Sequence, residues 1–340
     1  MRATVVLSDR SLGVVEIPHR DLPLGHVRIK VSYCGICGSD LHMRLAESIP
    51  AGSPVGVVLG HEFVGTVLEV APDVTTWTLG DRVAGWPSGS CGDCAICRSG
   101  KLQLCRSKMT DGIGLGKNQG ALAESVVVKA DRLFALPDGL SDEHAALTEP
   151  LAVALRAIGV GAVQPLDRVA VIGAGPVGLI TALALRAKGI NTVVLIEVNA
   201  KRAKRAEAFG FTTIGPDGTG TAASDALGGA PSVVMECAGH QSALPLAMNI
   251  VGPGGTVVVL GVLEEPVMIS QLLIIGKELR ILGSFGHTPE VFASAIELLA
   301  SGAIPADDLV TGYMVLEDAD RAFNELMDPN TSHIKILLHP

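Results

Sequence analysis

A chain of 340 residues is too long for one ordinary core, and its 40 glycines, 48% hydrophobic content and 3% aromatics describe an α/β protein rich in Val, Ile, Leu and Ala, with many tight turns. A formal charge of −9, with no block of five or more basic residues, excludes a surface built to hold a phosphate backbone, so no nucleic-acid partner is expected. The longest uncharged stretches, Val169 to Leu185 and Cys237 to Leu263, are broken by Gly and Pro, which excludes a membrane span.

The opening MRATVVLSDR lacks the apolar segment of a secretory signal, so a cytoplasmic protein is expected, in which seven cysteines are metal ligands or core residues rather than disulfides. Over residues 1–147 the runs ATVVL, HVRIKVSY, FVGTVLEV, DRVAGW and ALAESVVV are β-branched and separated by Gly, Pro and Asp, which predicts a loop-rich β domain. From residue 148 the period changes: LAVALRAIGV reads as a helix, RVAVIGAG as a buried strand, PVGLITALALRAKG as a helix and NTVVLIEVN as a strand. KRAKRAEAFG, PSVVMECAG, ALPLAMNIV and GGTVVVLGV continue the alternation, which predicts a doubly wound parallel sheet over 148–282. The stretch GPDGTGTAASDALGGA reads as a surface connection. Residues 283–340 hold a helix pattern, EVFASAIELLASG, then YMVLEDADRAFNELMD and a terminal strand, HIKILLHP, and their period assigns them to neither domain.

Three constellations carry chemistry. Cys91, Cys94, Cys97 and Cys105, spaced CxxCxxCx7C in a polar lobe over 88–108, can close a tetrahedron around one structural zinc. The same spacing would suit an iron–sulfur cluster, but nothing flanking it has electron-transfer character. In VIGAGPVGL, Gly173, Gly175 and Gly178 form GxGxxG, with Pro176 and Val177 opening a helix whose N-terminus can face a pyrophosphate. Glu197 ends the next strand, where a carboxylate accepts from an adenosine ribose and repels a 2′-phosphate, so NAD is favoured; Arg202 and Arg205 nearby are the kind of residue that accommodates NADP. The third set is scattered: Cys37 in CGICGSDLH, His61 and Glu62 in VLGHEFVG, and Glu149 in LTEPLAVAL are all of zinc-ligand type, although spacing alone does not join them.

In family order, CGICGSDLH, GHEFVGTV, GDRVAGWPSGSCGDCAICRSGKLQLC, TEPLAVALRA and VIGAGPVGL resemble the zinc-dependent medium-chain dehydrogenases, closest to the sorbitol, threonine and butanediol dehydrogenase branch. The resemblance implies a GroES-like β-rich catalytic domain (1–147), a Rossmann NAD-binding domain (148–282) and a tail (283–340) that completes the catalytic domain. It implies two zinc ions per chain, the catalytic one held by Cys37, His61 and Glu149, with Glu62 taking part in ligand exchange and Asp40 orienting His61. Zinc would make a substrate hydroxyl more acidic, and by the same resemblance its proton leaves through Ser39 and the nicotinamide ribose to His42. Ser39 also fits a helix N-cap for DLHMRLAE. Cys34, Cys237 and the remaining histidines, His144, His240 and His287 among them, match no motif position and read as structural.

The expected activity is hydride transfer between a secondary alcohol or polyol and NAD, by a homodimer or homotetramer acting on a small molecule. RLAESIPAGSPVGVVLGHE, which leads from His42 to His61, is rich in small apolar residues and offers no sugar-binding cluster, so an amino-sugar or cyclitol hydroxyl fits as well. Two competing readings are an NADPH-dependent quinone or enone reductase without catalytic zinc, and a non-enzymatic zinc-binding interaction protein.

Overall fold

The structure, a computed structural model, describes every residue except 50–51, 109–110 and 117. Residues 50 and 51 fall in the segment read as lacking a sugar-binding cluster, so that part of the reading lies outside the described residues. Two compact units form, Met1–Pro150 with His287–Pro340, and Leu151–Gly286. In chain order the strands are β1 (Arg2–Val6), β2 (Leu12–Glu16), β3 (His26–Gly35), β4 (Glu62–Val70), β5 (Arg82–Gly85), β6 (Ser125–Lys129) and β7 (Leu133–Ala135). The second unit holds β8 (Val169–Ile172), β9 (Val193–Ile196), β10 (Thr212–Ile214), β11 (Val233–Glu236), β12 (Thr256–Val259) and β13 (Arg280–Gly283), and the tail adds β14 (Val310–Val315) and β15 (Lys335–His339).

In the first unit β14, β15, β3, β4, β5 and β7 form one sheet in that order, with β6 also paired to β3. Phe63, Leu59, Leu122, Phe323, Ile336 and Leu338 are buried in its core. The end of β3 is the crowded place: Gly35 lies opposite Glu62 of β4 and also opposite Leu337 of β15. A Cβ on Gly35 would sit 2.2 Å from Glu62 Oε2, so only glycine leaves room for that carboxylate. The pairing of β15 with β3 therefore seats the tail's first strand residue, Lys335, beside the start of β4.

The second unit is a parallel sheet in the order β10, β9, β8, β11, β12, β13. Strands such as VAVI of β8 are buried along their whole length, as a sheet covered on both faces requires. The order reverses between β8 and β11, the place where open α/β sheets bind ligands at their carboxyl ends. One expectation is corrected: the stretch read as a surface connection contains a helix, Thr221–Leu227, flanked by Gly220 and Gly228 in left-handed conformation and burying Ala223 and Leu227. Its small-residue composition hid an i, i+4 apolar pair between two glycine stops.

Among the described residues, no helix is long and apolar enough to cross a membrane.

Candidate active site

The four cysteines of the polar lobe converge. Cys94 caps the short helix Ala95–Arg98, whose turn carries Cys97 back toward it, and a 3-10 turn at Leu102–Leu104 delivers Cys105. Sulfur–sulfur distances are 3.5 Å (Cys91 to Cys105), 3.9 Å (Cys91 to Cys97) and 4.0 Å (Cys94 to Cys105). A tetrahedron with metal–sulfur bonds of about 2.3 Å has edges of about 3.8 Å, so the cluster fits one zinc ion. Backbone N–H groups are already aimed at sulfur, from Cys91 and Ser107 to Cys105 and from Cys97 to Cys94. Burial opposes ionisation of Cys105, yet those N–H groups prevail and its pKa falls to about 6, whereas Asp93 holds Cys91 up at about 12. A cation bound here would displace the remaining thiol protons.

The second cluster forms where β3 passes into the helix Gly38–Leu45 and where β4 begins. The N-cap of that helix is Cys37, not Ser39. Asp40, in the first turn, reaches back to accept from the Cys37 N–H at 3.0 Å, and so fixes the helix start one residue before the polar run that suggested it. Fully buried Asp40 also accepts from the Gly60 N–H at 3.1 Å, and its Oδ1 lies 3.3 Å from His61 Nδ1. One carboxylate thus ties together the backbone of the two turns that carry Cys37 and His61.

Ligand atoms of Cys37, His61 and Glu62 lie within 4.8 Å of one another. Ser39 Oγ stands 3.3 Å from His61 Nε2, and His42, three residues along the same helix, is exposed. Burial would push the His61 ring toward neutrality, but Asp40 and Cys37 raise its pKa well above the ordinary value. The groups gathered here, thiol, imidazole and carboxylate, are zinc donors.

Glu149 lies outside this group of three. Its Oε1 meets Nε2 of His287 at 3.2 Å, both side chains being buried. Glu62 is held by Lys335, whose Nζ donates to its two oxygens at 2.8 and 2.7 Å and to the Ile36 carbonyl at 2.9 Å. Burial raises the Glu62 pKa despite that cation, and the same pairing overcomes burial to raise Lys335. The sequence reading missed Lys335 and set His287 aside as structural. A lysine in the apolar strand KILLH signals a buried cation in need of a partner, but no local pattern links His287 to Glu149, 138 positions away. Cys34 is fully buried in the core.

The glycine loop of the second unit joins β8 to the helix Pro176–Ala187, with Gly175 as N-cap and Pro176 in the first turn. Gly173 has φ +92°, and a Cβ on Gly178 would lie 1.8 Å from the Gly173 carbonyl oxygen. At Gly175 a Cβ would meet nothing within 4 Å, so open space remains beside the helix N-terminus, as a bound pyrophosphate requires. Glu197 accepts from the Ala174 N–H at 2.6 Å and the Asn199 N–H at 2.8 Å, which ties the loop to the end of β9. Val177 and Arg202 are partly buried, the latter in the first turn of the helix Ala200–Ala208, and Arg205 stands one turn further on.

Residues 23–138 match the family model of the alcohol dehydrogenase GroES-like domain, and residues 176–301 that of the zinc-binding dehydrogenase. The chain is 33% identical to the (R,R)-butanediol dehydrogenase of Bacillus subtilis, covering 100% of both. It is 31% identical to the sorbitol dehydrogenase of the same organism, covering 100% of this chain and 97% of that one. Among solved structures it resembles an Escherichia coli alcohol dehydrogenase complexed with NADH (28% identity, TM-score 0.91, 100% and 99% covered). A zinc-binding dehydrogenase of Sinorhizobium meliloti bound to NADP is similar at 33% identity and TM-score 0.90, again with 100% and 99% covered. With two such units, a GroES-like one and a Rossmann-type one, the chain belongs to the zinc-dependent medium-chain dehydrogenases and is an oxidoreductase of the alcohol and polyol dehydrogenase type.

Proposed function

We propose that the protein transfers a hydride between a secondary alcohol or polyol and NAD, the ketone being the substrate in reverse, with one catalytic and one structural zinc per chain. The observation that carries this reading is the convergence of Cys37, His61 and Glu62 with Ser39 at 3.3 Å from the His61 ring. Zinc there would supply Lewis acidity toward the substrate oxygen. The chain's own residues do the rest: Ser39 takes the hydroxyl proton, and His42, exposed on the same helix, passes it to water. Asp40 holds His61 and the Cys37 turn in place, Glu149 is the third ligand and Glu62 exchanges with it. The relatives named above act on butanediol and sorbitol, which supports a vicinal diol or polyol as substrate.

NAD is favoured because the Glu197 carboxylate stands buried at the end of β9. It would repel a 2′-phosphate, and neutralising it should relax the preference. A homo-oligomer is part of the reading. β13 is an edge strand, and the adjacent helix Gln271–Lys277 buries none of its residues while Leu272 and Ile275 stand 77% and 65% exposed, a face that a second copy would cover. A cytoplasmic setting keeps the thiols reduced for metal.

The deciding experiment combines metal analysis with a panel of diols, polyols, cyclitols and simple secondary alcohols assayed with NAD and NADP. Two zinc ions per active chain are expected, and Cys37→Ser should lose one of them and all turnover. Full activity in zinc-stripped protein would overturn the proposal in favour of a zinc-independent reductase.

A further inference from the structure

The contact between His287 and Glu149 is more constrained than an ordinary buried hydrogen bond. His287 is fully buried, its ring stacked on Phe292 with centroids 5.4 Å apart and planes at 22°, and Phe292 in turn packs on Phe134 at 5.1 Å. The His287 backbone carbonyl accepts from Trp86 Nε1 at 3.3 Å, so main chain and ring are both held. Nδ1 is buried and has no partner among the described residues, where Nε2 is the ring atom that makes a hydrogen bond. The proton must then sit on Nε2. Placed on Nδ1, it would bury an unmade donor, at a cost of about 1–3 kcal/mol, and set the Nε2 lone pair against a carboxylate oxygen.

Glu149 is in consequence held by one oxygen. A carboxylate anchored through Oε1 has only Oε2 to offer a cation, whereas a free one can swing or chelate with both oxygens. Cys37 and His61 have such an outer partner in Asp40, and Glu62 has Lys335. His287 fills the corresponding place for Glu149.

We propose that His287 is a positioning residue for the catalytic metal centre, holding Oε1 of Glu149 so that this side chain serves as a one-oxygen ligand. The proposal rests on the reading that Cys37 and His61 hold that metal. Outer partners that orient metal ligands are worth about 10- to 100-fold in metal affinity.

The test uses the whole metal-loaded protein and reads the more labile site by chelator competition, with the four-cysteine site as internal reference, and by visible absorption after cobalt replaces zinc in that labile site. His287→Phe, which keeps a ring against Phe292 but has no donor, should weaken the labile site about 10- to 100-fold and alter the cobalt bands. His287→Gln, whose amide can still donate to Glu149, should restore most of the affinity. In a Glu149→Gln background, His287→Phe should change nothing further. Affinity within two-fold of the parent with unchanged cobalt bands, or an equal loss in the Glu149→Gln background, would reduce His287 to a packing residue. If the phenylalanine variant does not fold, the glutamine variant decides: parent-like affinity and cobalt bands are expected, and a loss as large as that of Glu149→Gln overturns the proposal. Cys37→Ser that kept both metals would instead mean that the centre itself had been misplaced.

Discussion

Replacing Lys335 by methionine removes a cation from a place where no water can substitute for it. The lysine and Glu62 side chains are 4% and 0% exposed, with their charges 2.7 Å apart. At an effective dielectric near 20, opposite charges about 4 Å apart attract by about 4 kcal/mol. Removing one partner of a buried pair costs roughly 3–5 kcal/mol, because the remaining charge is stranded. Lys335→Met should therefore destabilise the first unit by about 3–5 kcal/mol. The two tryptophans, Trp77 and Trp86, both lie in that unit, so their fluorescence during urea unfolding reads it selectively. The double variant Lys335→Met/Glu62→Leu should recover more than half of the loss, since replacing both members of a buried pair with apolar groups is often nearly neutral. A single variant within about 1 kcal/mol of the parent, or a double variant no better than the single, would refute the reading that Lys335 and Glu62 neutralise each other.

Gly178→Ala should abolish the rise in NADH fluorescence on binding and lower the stability of the second unit, because the new methyl would overlap the Gly173 carbonyl; unchanged binding would show that the loop can shift. His42→Ala should slow turnover by up to about 100-fold near pH 6 and much less at pH 9, where hydroxide replaces the lost proton path; a parallel drop at all pH values would remove His42 from the relay. Tyr33, raised by burial and by its hydrogen bond to Glu143, should show a phenolate midpoint near pH 12 by ultraviolet titration, and Glu143→Gln should lower it. Its folded pKa lies above the ordinary value of 10.0, so its contribution to stability is complete below pH 10 and fades as the pH rises toward 12. A midpoint at 10 would contradict the burial.

The residues whose chemistry depends on local spacing were the easiest to read. CxxCxxCx7C and GxGxxG each lie within one short stretch, and turn geometry and strand–helix context leave little else for them to do. β-branched apolar runs bounded by Gly, Pro and Asp marked most of the strands in both units, because a buried strand must present apolar side chains along its length. The helix Thr221–Leu227 escaped because its apolar face consists of an alanine and a leucine amid Gly and Thr. The partners of Glu62 and Glu149 escaped for a different reason. Lys335 and His287 reach their carboxylates only through a strand pairing and an aromatic stack formed by distant segments, and no local pattern encodes such a meeting. Ser39 fits a helix cap by residue type, but Asp40, by bonding the Cys37 N–H, sets the cap at Cys37.

The return of the tail to β3 also bears on how the protein is made. A ribosome releases Leu151–Gly286 as one uninterrupted length, so the second unit can fold while the first still lacks β14 and β15. Until Lys335 emerges, Glu62 has no cation and β3 presents an unpaired edge beside Gly35. The unit begun first is therefore finished last. During that interval the edge of its half-built sheet stays open to mispairing.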